Sequence, residues 1–188
     1  MEPGNTVCVL RLGHRLPRDE RITTHVCLVA RAFGAKQIFY AGQHDSSLEL
    51  SVSSIASNWG GDFSVTYDNK YINLIKKYKK DGFIIIHLTM YGLPLNEEIE
   101  KIIRIKDKHA NLKILVVVGA EKVEKEVYEL ADYNLAVTSQ PHSEVAALAI
   151  TLDRIMQGQE LERKFNEKFI GKIKLVPNKK GKTIKKND

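Results

Sequence analysis

At 188 residues, with 43% hydrophobic and 28% charged side chains, the chain has the composition of a soluble globular protein and the length of one domain, or one domain with an appendage. No apolar run approaches the roughly 20 residues that span a bilayer, and the N-terminus lacks a basic-then-apolar export pattern. Cys8 and Cys27 stand singly within apolar runs, which argues against structural zinc and predicts buried free thiols in a cytoplasmic protein. The net charge of +6 is unevenly placed. From Arg163 to Lys186 ten basic residues face Glu167 alone, so this segment carries +9 and the rest of the chain −3. A basic arm on a near-neutral body predicts a polyanionic partner, nucleic acid first, with a solubilising tail as the plain alternative.

Val7–Leu12 reads as the first strand. The loop that follows, GHRLPRDER, carries six ionisable groups, His14, Arg15, Arg18, Asp19, Glu20 and Arg21, and enters a helix over Ile22–Phe33 that Gly34 stops. Strands are then predicted at Gln37–Ala41, Asp62–Tyr67, Phe83–Leu88, Leu112–Val118 and Tyr133–Val137. Helices are predicted at Ser47–Asn58, Lys70–Lys80, Leu95–His109 (opened by Pro94), Glu124–Leu130 and His142–Gln157. Several strands are apolar without alternation, as strands covered on both faces are. The βαβα rhythm predicts an α/β fold, a parallel sheet with helices on both faces. Gly158 ends this unit. Beyond it, Glu160–Lys168 could form a short helix, and Lys172–Val176 with Thr183–Lys186 flank Pro177, Asn178 and Gly181 as a basic β-hairpin. The division is therefore residues 1–158 and a basic helix-hairpin extension, 159–188.

In such sheets ligands gather beyond the carboxyl ends of the strands. Four loops reach that edge: the charged loop, the run His87 to Gly92, the run Gly119 to Val123, and the run Thr138 to Glu144. Charge packed at a strand's carboxyl end fits an anionic ligand or a proton-transfer site; a solvated loop is the bland alternative. Gly119 lets a ligand approach the backbone, or is simply a turn glycine, and Pro141 with Glu144 can be no more than a well-formed helix start. No dinucleotide or nucleoside-triphosphate glycine fingerprint occurs, and no hydrolase elbow. His14, His25, His87 and His142 lie too far apart in sequence to predict a metal.

Together the runs RLGHRLPRDERITTHVCLVARAFGAKQ, VGA continuing as EKV, and SQPHSEVAALAI resemble the archaeal tRNA ribose methyltransferases that modify the cytidine at tRNA position 56, members of the SPOUT class. The resemblance covers residues 7–157 in order, and the basic extension resembles the C-terminal helix and hairpin of those enzymes. It implies a SPOUT-type sheet with a C-terminal trefoil knot, S-adenosylmethionine as cofactor, tRNA as substrate and a homodimer in which the first motif of one subunit faces the cofactor of the other. Carried onto this chain, the cofactor loops are Leu88 and Thr89; Gly119, Ala120, Glu121, Lys122 and Val123; and Val137, Thr138, Ser139, Gln140, Pro141, His142, Ser143 and Glu144. It also implies a catalytic arginine in the first motif. Many ribose-methylating relatives place that arginine six residues before the helix-ending glycine, where this chain has Leu28. Arg21 is the leading candidate, oriented by Asp19; Arg18 competes with it, and His25 is a candidate base. The third motif also departs, reading Pro141-His142-Ser143 where Asn-Val-Ser is common. Arg15, Arg18, Lys172, Lys174, Lys179, Lys180 and Lys182 are expected to meet RNA.

The chemistry asks little of such a site. A sulfonium-activated methyl needs no electrophile from the protein, only a ribose hydroxyl held in line and relieved of its proton. A cation near that hydroxyl stabilises its developing negative charge. A non-catalytic RNA-binding protein using the basic hairpin is the main alternative, and an ordinary nucleotide-binding domain a weaker one.

Overall fold

The computed structural model describes residues 6–108, 112–119, 122–162 and 171–187. Six strands, β1 (Thr6–His14), β2 (Gln37–Gly42), β3 (Ser64–Tyr67), β4 (Ile84–Pro94), β5 (Lys113–Val118) and β6 (Tyr133–Ala136), form one parallel sheet in the order β3-β2-β1-β5-β4-β6. Between and after them run α1 (Glu20–Ala32), α2 (Ser46–Trp59), α3 (Tyr71–Lys80), α4 (Leu95–Lys108), α5 (Lys125–Leu130) and α6 (Glu144–Met156). None of the described helices is long and apolar enough to cross a membrane.

Strands form where β-branched residues concentrate, because their stiff side chains pack well on a pleated surface. β5 is the clearest case: every residue of KILVVV after Lys113 is buried. Each such side chain taken from water contributes about 1.5–3 kcal/mol. Alternate residues feed two cores. Val7 and Val9 of β1 pack with Val26 and Ala30 of α1, Leu48 of α2, Ile102 of α4 and Leu152 of α6; Cys8 and Leu10 pack on the other face with Leu74 and Ile75 of α3 and Val127 of α5. Both cysteines are buried free thiols, and burial pushes the Cys27 thiol up to about 12.

Local chemistry sets the helix starts. The Asp45 carboxylate accepts from the Ser47 and Leu48 amides at 2.9 and 3.0 Å and caps α2. Ser143 Oγ accepts from the Val145 amide at 3.2 Å, so α6 begins at Glu144, two residues later than the helical pattern suggests. β3 likewise begins at Ser64 rather than Asp62.

The larger difference is in β4. Hydrophobic patterning ends this strand at Leu88, yet it resumes beyond a bulge: Leu88 and Leu93 both register with Leu135, leaving residues 89–92 arched out of the ladder. The chain can close so tightly because Gly92 lies flat against the Asn134–Leu135 backbone, where a Cβ would overlap the Asn134 carbonyl. Gly92→Ala is therefore expected to destabilise the protein by about 1–3 kcal/mol, read from the urea midpoint; an unchanged midpoint would show that the arch is not pinned here.

Beyond α6 a 3₁₀ turn spans Gln159–Glu162; the rest of the expected helix lies outside the described residues. β7 (Ile173–Val176) and β8 (Thr183–Lys186) form the expected antiparallel hairpin. Asn178 builds its turn, accepting from the Lys180 amide at 2.9 Å and donating to Thr183 Oγ1 at 3.0 Å. β7 rests against α2.

Candidate active site at the carboxyl ends of the strands

From β1 the chain winds outward through β2 to β3, then crosses to build the other half of the sheet. The reversal leaves a crevice beyond the carboxyl ends of β1 and β5, where Arg11 pairs in register with Val118. A cleft of about 580 Å³ opens here, within the usual range for a small-molecule site. Its walls come from the charged loop before α1, the β4 arch, the turn after β5 and the segment leading into α6.

One part of the cleft is charged. Arg11, 1% exposed on an otherwise apolar strand, reaches Glu144 at 2.8 Å and also donates to the Leu12 carbonyl. Burial lowers the Arg11 guanidinium below its ordinary value, and the Glu144 carboxylate works to restore it. Beside this pair Arg15 Nε donates to Asp19 at 2.8 Å. Burial works to raise the Asp19 carboxyl, but the Arg15 hydrogen bond and the charges of Arg15, Arg11 and Arg18 hold it below its ordinary value.

The opposite part is neutral. His87, fully buried on β4, has Nδ1 2.8 Å from Asn134 Oδ1, and the Tyr128 ring meets it edge-on with centroids 4.6 Å apart. Tyr128 Oη lies 3.1 Å from Thr89 Oγ1. Leu88, Val118, Leu135 and Val137 supply apolar wall on the Arg11 face of the sheet and Val123 on the His87 face, and Gly119 lies so near Val123 that a Cβ there would overlap its side chain.

The charged loop is held from beneath by a buried histidine. His14 Nδ1 lies 2.8 Å from Thr23 Oγ1 of α1, and its Nε2 lies 3.4 Å from Asp45 at the start of α2. Burial lowers the His14 imidazole despite the nearby Asp45 carboxylate, so the ring serves as a neutral support.

Of the residues expected at the site, Arg15, Arg18, Asp19, Leu88, Thr89, Gly119, Val123, Val137, Pro141, His142 and Glu144 wall the cleft. Lys122, Thr138, Ser139, Gln140 and Ser143 stand outside its wall, Ser143 being spent on the α6 cap, while Ala120 and Glu121 lie outside the described residues. Arg21 and His25 project from the exposed side of α1 into a separate groove of about 280 Å³ shared with Asp45 and Ser51. Asp19 does not orient Arg21: its carboxylate is engaged by Arg15 instead, because positions two apart at a helix start project to different sides. Lys172, Lys174, Lys179, Lys180 and Lys182 are all exposed on the hairpin and the residues flanking it. Arg11, Tyr128 and the partnership of His87 escaped the sequence reading. The one available signal was a lone arginine inside VCVLRL. Among the described residues no cluster of three or more His, Cys, Asp or Glu is placed to hold a metal.

The fold is that of the TrmH/SpoU methyltransferases. A TrmH-family protein of Porphyromonas gingivalis described as a putative RNA methyltransferase superposes with a TM-score of 0.59 at 15% identity, over 80% of this chain and 59% of that one. The Streptomyces viridochromogenes SpoU methyltransferase AviRb, solved with AdoMet, superposes with a TM-score of 0.58 at 14% identity, over 85% and 60%. Residues 59–185 match the family model described as tRNA ribose 2'-O-methyltransferase, aTrm56. The tRNA (cytidine(56)-2'-O)-methyltransferase of Methanocaldococcus jannaschii is 52% identical over 94% of each chain, and that of Methanosphaera stadtmanae 49% identical over 97% of this chain and 99% of that one. The chain belongs to the tRNA ribose 2'-O-methyltransferase family.

Proposed function

We propose that this protein transfers a methyl group from S-adenosylmethionine to the ribose 2'-oxygen of cytidine 56 in tRNA. The observation that carries the reading is a single cleft joining an apolar wall to a charged one, in a chain about half identical to enzymes so named along nearly its whole length. The residues present fit the cofactor. Apolar side chains from β4, β5 and the segment before α6 suit an adenine ring, Gly119 adds no side chain to the wall, and the Arg11–Glu144 pair suits a zwitterionic amino-acid group. When bound, the cofactor supplies the activated methyl.

The protein's part is to bind, orient and move one proton. Leu88, Val118 and Val137 exclude water from the cofactor side, and Arg15 and Arg18 at the mouth attract the RNA backbone. Arg21 stabilises the developing charge on the ribose oxygen and His25 accepts its proton, with Arg18 the competing cation. Because Arg21 and His25 share the exposed face of α1, they act across a homodimer interface, in the cleft of the second subunit. The C-terminal part of the sheet is threaded as a trefoil knot around the β4 arch. Residues 159–188 serve as an RNA-docking appendage, and the protein works in the cytoplasm, where tRNA is met. Incubating the protein with unmodified tRNA transcript and radiolabelled S-adenosylmethionine tests the reading: label confined to the ribose of cytidine 56 is expected, and label elsewhere would overturn the substrate.

The hairpin has its own test. Replacing Lys179, Lys180 and Lys182 with alanine is expected to weaken tRNA binding and to flatten its salt dependence by about one unit of slope for each phosphate left unneutralised. Cofactor affinity should stay unchanged. An unaltered slope would remove the hairpin from the RNA interface.

A further inference from the structure

His87 sits at the centre of an apolar strand with no exposed surface. Its tautomer is set by a short relay. Asn134 Nδ2 donates to the Tyr128 carbonyl at 3.0 Å, which turns Asn134 Oδ1 toward the imidazole. Across 2.8 Å that oxygen accepts from His87 Nδ1, so the ring hydrogen resides on Nδ1 and Nε2 presents a bare lone pair. Burial lowers the His87 imidazole further than the Asn134 hydrogen bond raises it, which keeps the ring neutral. Nε2 is buried, has no hydrogen-bond partner among the described residues, and belongs to a ring that walls the cleft. A buried acceptor left unpaired forfeits its hydration without return, and such groups are satisfied in all but a few places in native proteins.

The cleft is polarised about this atom. Arg11 projects with Val116 and Val118 to the face covered by α1 and α6, while His87 projects with Leu115 and Val117 to the face covered by α5. β1 and β4 are separated by β5, so the two strands lie about 10 Å apart and the two side chains project to opposite sides of the sheet. A ligand lying over the strand ends meets charge at one end and a neutral acceptor at the other.

We propose that His87 is a positioning residue that accepts, at Nε2, a hydrogen bond from the nucleoside half of the cofactor, either its adenine 6-amino group or a ribose hydroxyl. The inference rests on the cofactor reading above. The amino-acid half, with its ammonium and carboxylate, belongs at the charged end. A role for His87 as base toward RNA is disfavoured by its complete burial, since a macromolecular substrate reaches only the mouth of the cleft.

Calorimetry with S-adenosylhomocysteine tests this. His87→Leu is expected to lose roughly ten- to hundredfold in affinity, and His87→Gln, which restores an amide oxygen, to recover part of it. 5'-Methylthioadenosine, its 6-deamino analogue and its 2'- and 3'-deoxy analogues then identify the donor: the analogue whose deficit disappears in His87→Leu lacks the partner group. In case the leucine variant fails to fold, ¹⁵N NMR of the unaltered protein provides a second readout. The Nε2 resonance should lie in the range of an unprotonated ring nitrogen and move upfield when S-adenosylhomocysteine binds. Failure of the unaltered protein to bind S-adenosylhomocysteine would overturn the cofactor reading itself. Normal binding with equal affinity in His87→Leu, or an unmoved Nε2 resonance, would overturn only the role of His87. Lost turnover with untouched affinity would also overturn it, in favour of proton transfer.

Discussion

Glu144→Ala is expected to destabilise the protein by about 3–5 kcal/mol, more than any single substitution at the surface. Arg11 is 1% exposed, so removing its partner strands a guanidinium in the core. The reverse change is milder. Glu144 keeps 27% of its side-chain surface and can be hydrated from the cleft, so Arg11→Met, similar in length and apolar, should cost much less. The double variant Arg11→Met with Glu144→Gln should recover most of the loss, because two neutral groups replace a desolvated pair. Urea denaturation of the three variants checks the order. Equal losses for both single variants would show that the pair acts as a unit with no asymmetry of burial.

The second large effect is on turnover. Arg21→Ala is expected to lower kcat by about 10²–10³, the usual cost of one stabilising donor at a developing oxyanion, with cofactor affinity intact. Gly119→Val should abolish cofactor binding, because even a Cβ at this position overlaps Val123. Mixed dimers then give a sharp result. If α1 of one subunit serves the cleft of the other, a dimer of one Arg21→Ala and one Gly119→Val subunit collects both defects in one site and leaves the second site intact. Activity should therefore return on mixing two inactive proteins. Mixing without recovery, with mixed dimers shown to form, would place Arg21 and the cofactor in the same chain. An Arg21→Ala variant with full turnover would transfer the role to Arg18.

The succession of elements was legible because each strand is a short apolar run and each helix carries a full apolar stripe. β5 and α6 announce themselves in KILVVV and in EVAALAITLDRIM. The cleft's location followed from the parallel order alone. What remained hidden arises from non-local approach. Residues 89–92 look like the end of a strand, and only the backbone of Asn134 makes them an arch. The Arg15–Asp19 bond displaced the expected Asp19–Arg21 bond because helix phase, not proximity in sequence, decides which charges meet. His87 was legible only as the start of a loop at the sheet edge, since its tautomer depends on an asparagine 47 residues away. Arg11 gave a faint one, a charge where the pattern wanted an aliphatic residue, but nothing in the sequence said that its partner begins α6.

That ion pair joins the first strand to the last large helix, and the cleft between them has no separate existence in either half of the chain. A nascent polypeptide emerging from the ribosome thus has no cofactor pocket until α6 has been made and has docked. Ligand binding and completion of the native topology become one event, and S-adenosylmethionine in the cell adds to the protein's stability by mass action. The methyl donor is in this sense also the protein's own folding ligand, and a shortage of it would lower the amount of enzyme as well as its rate.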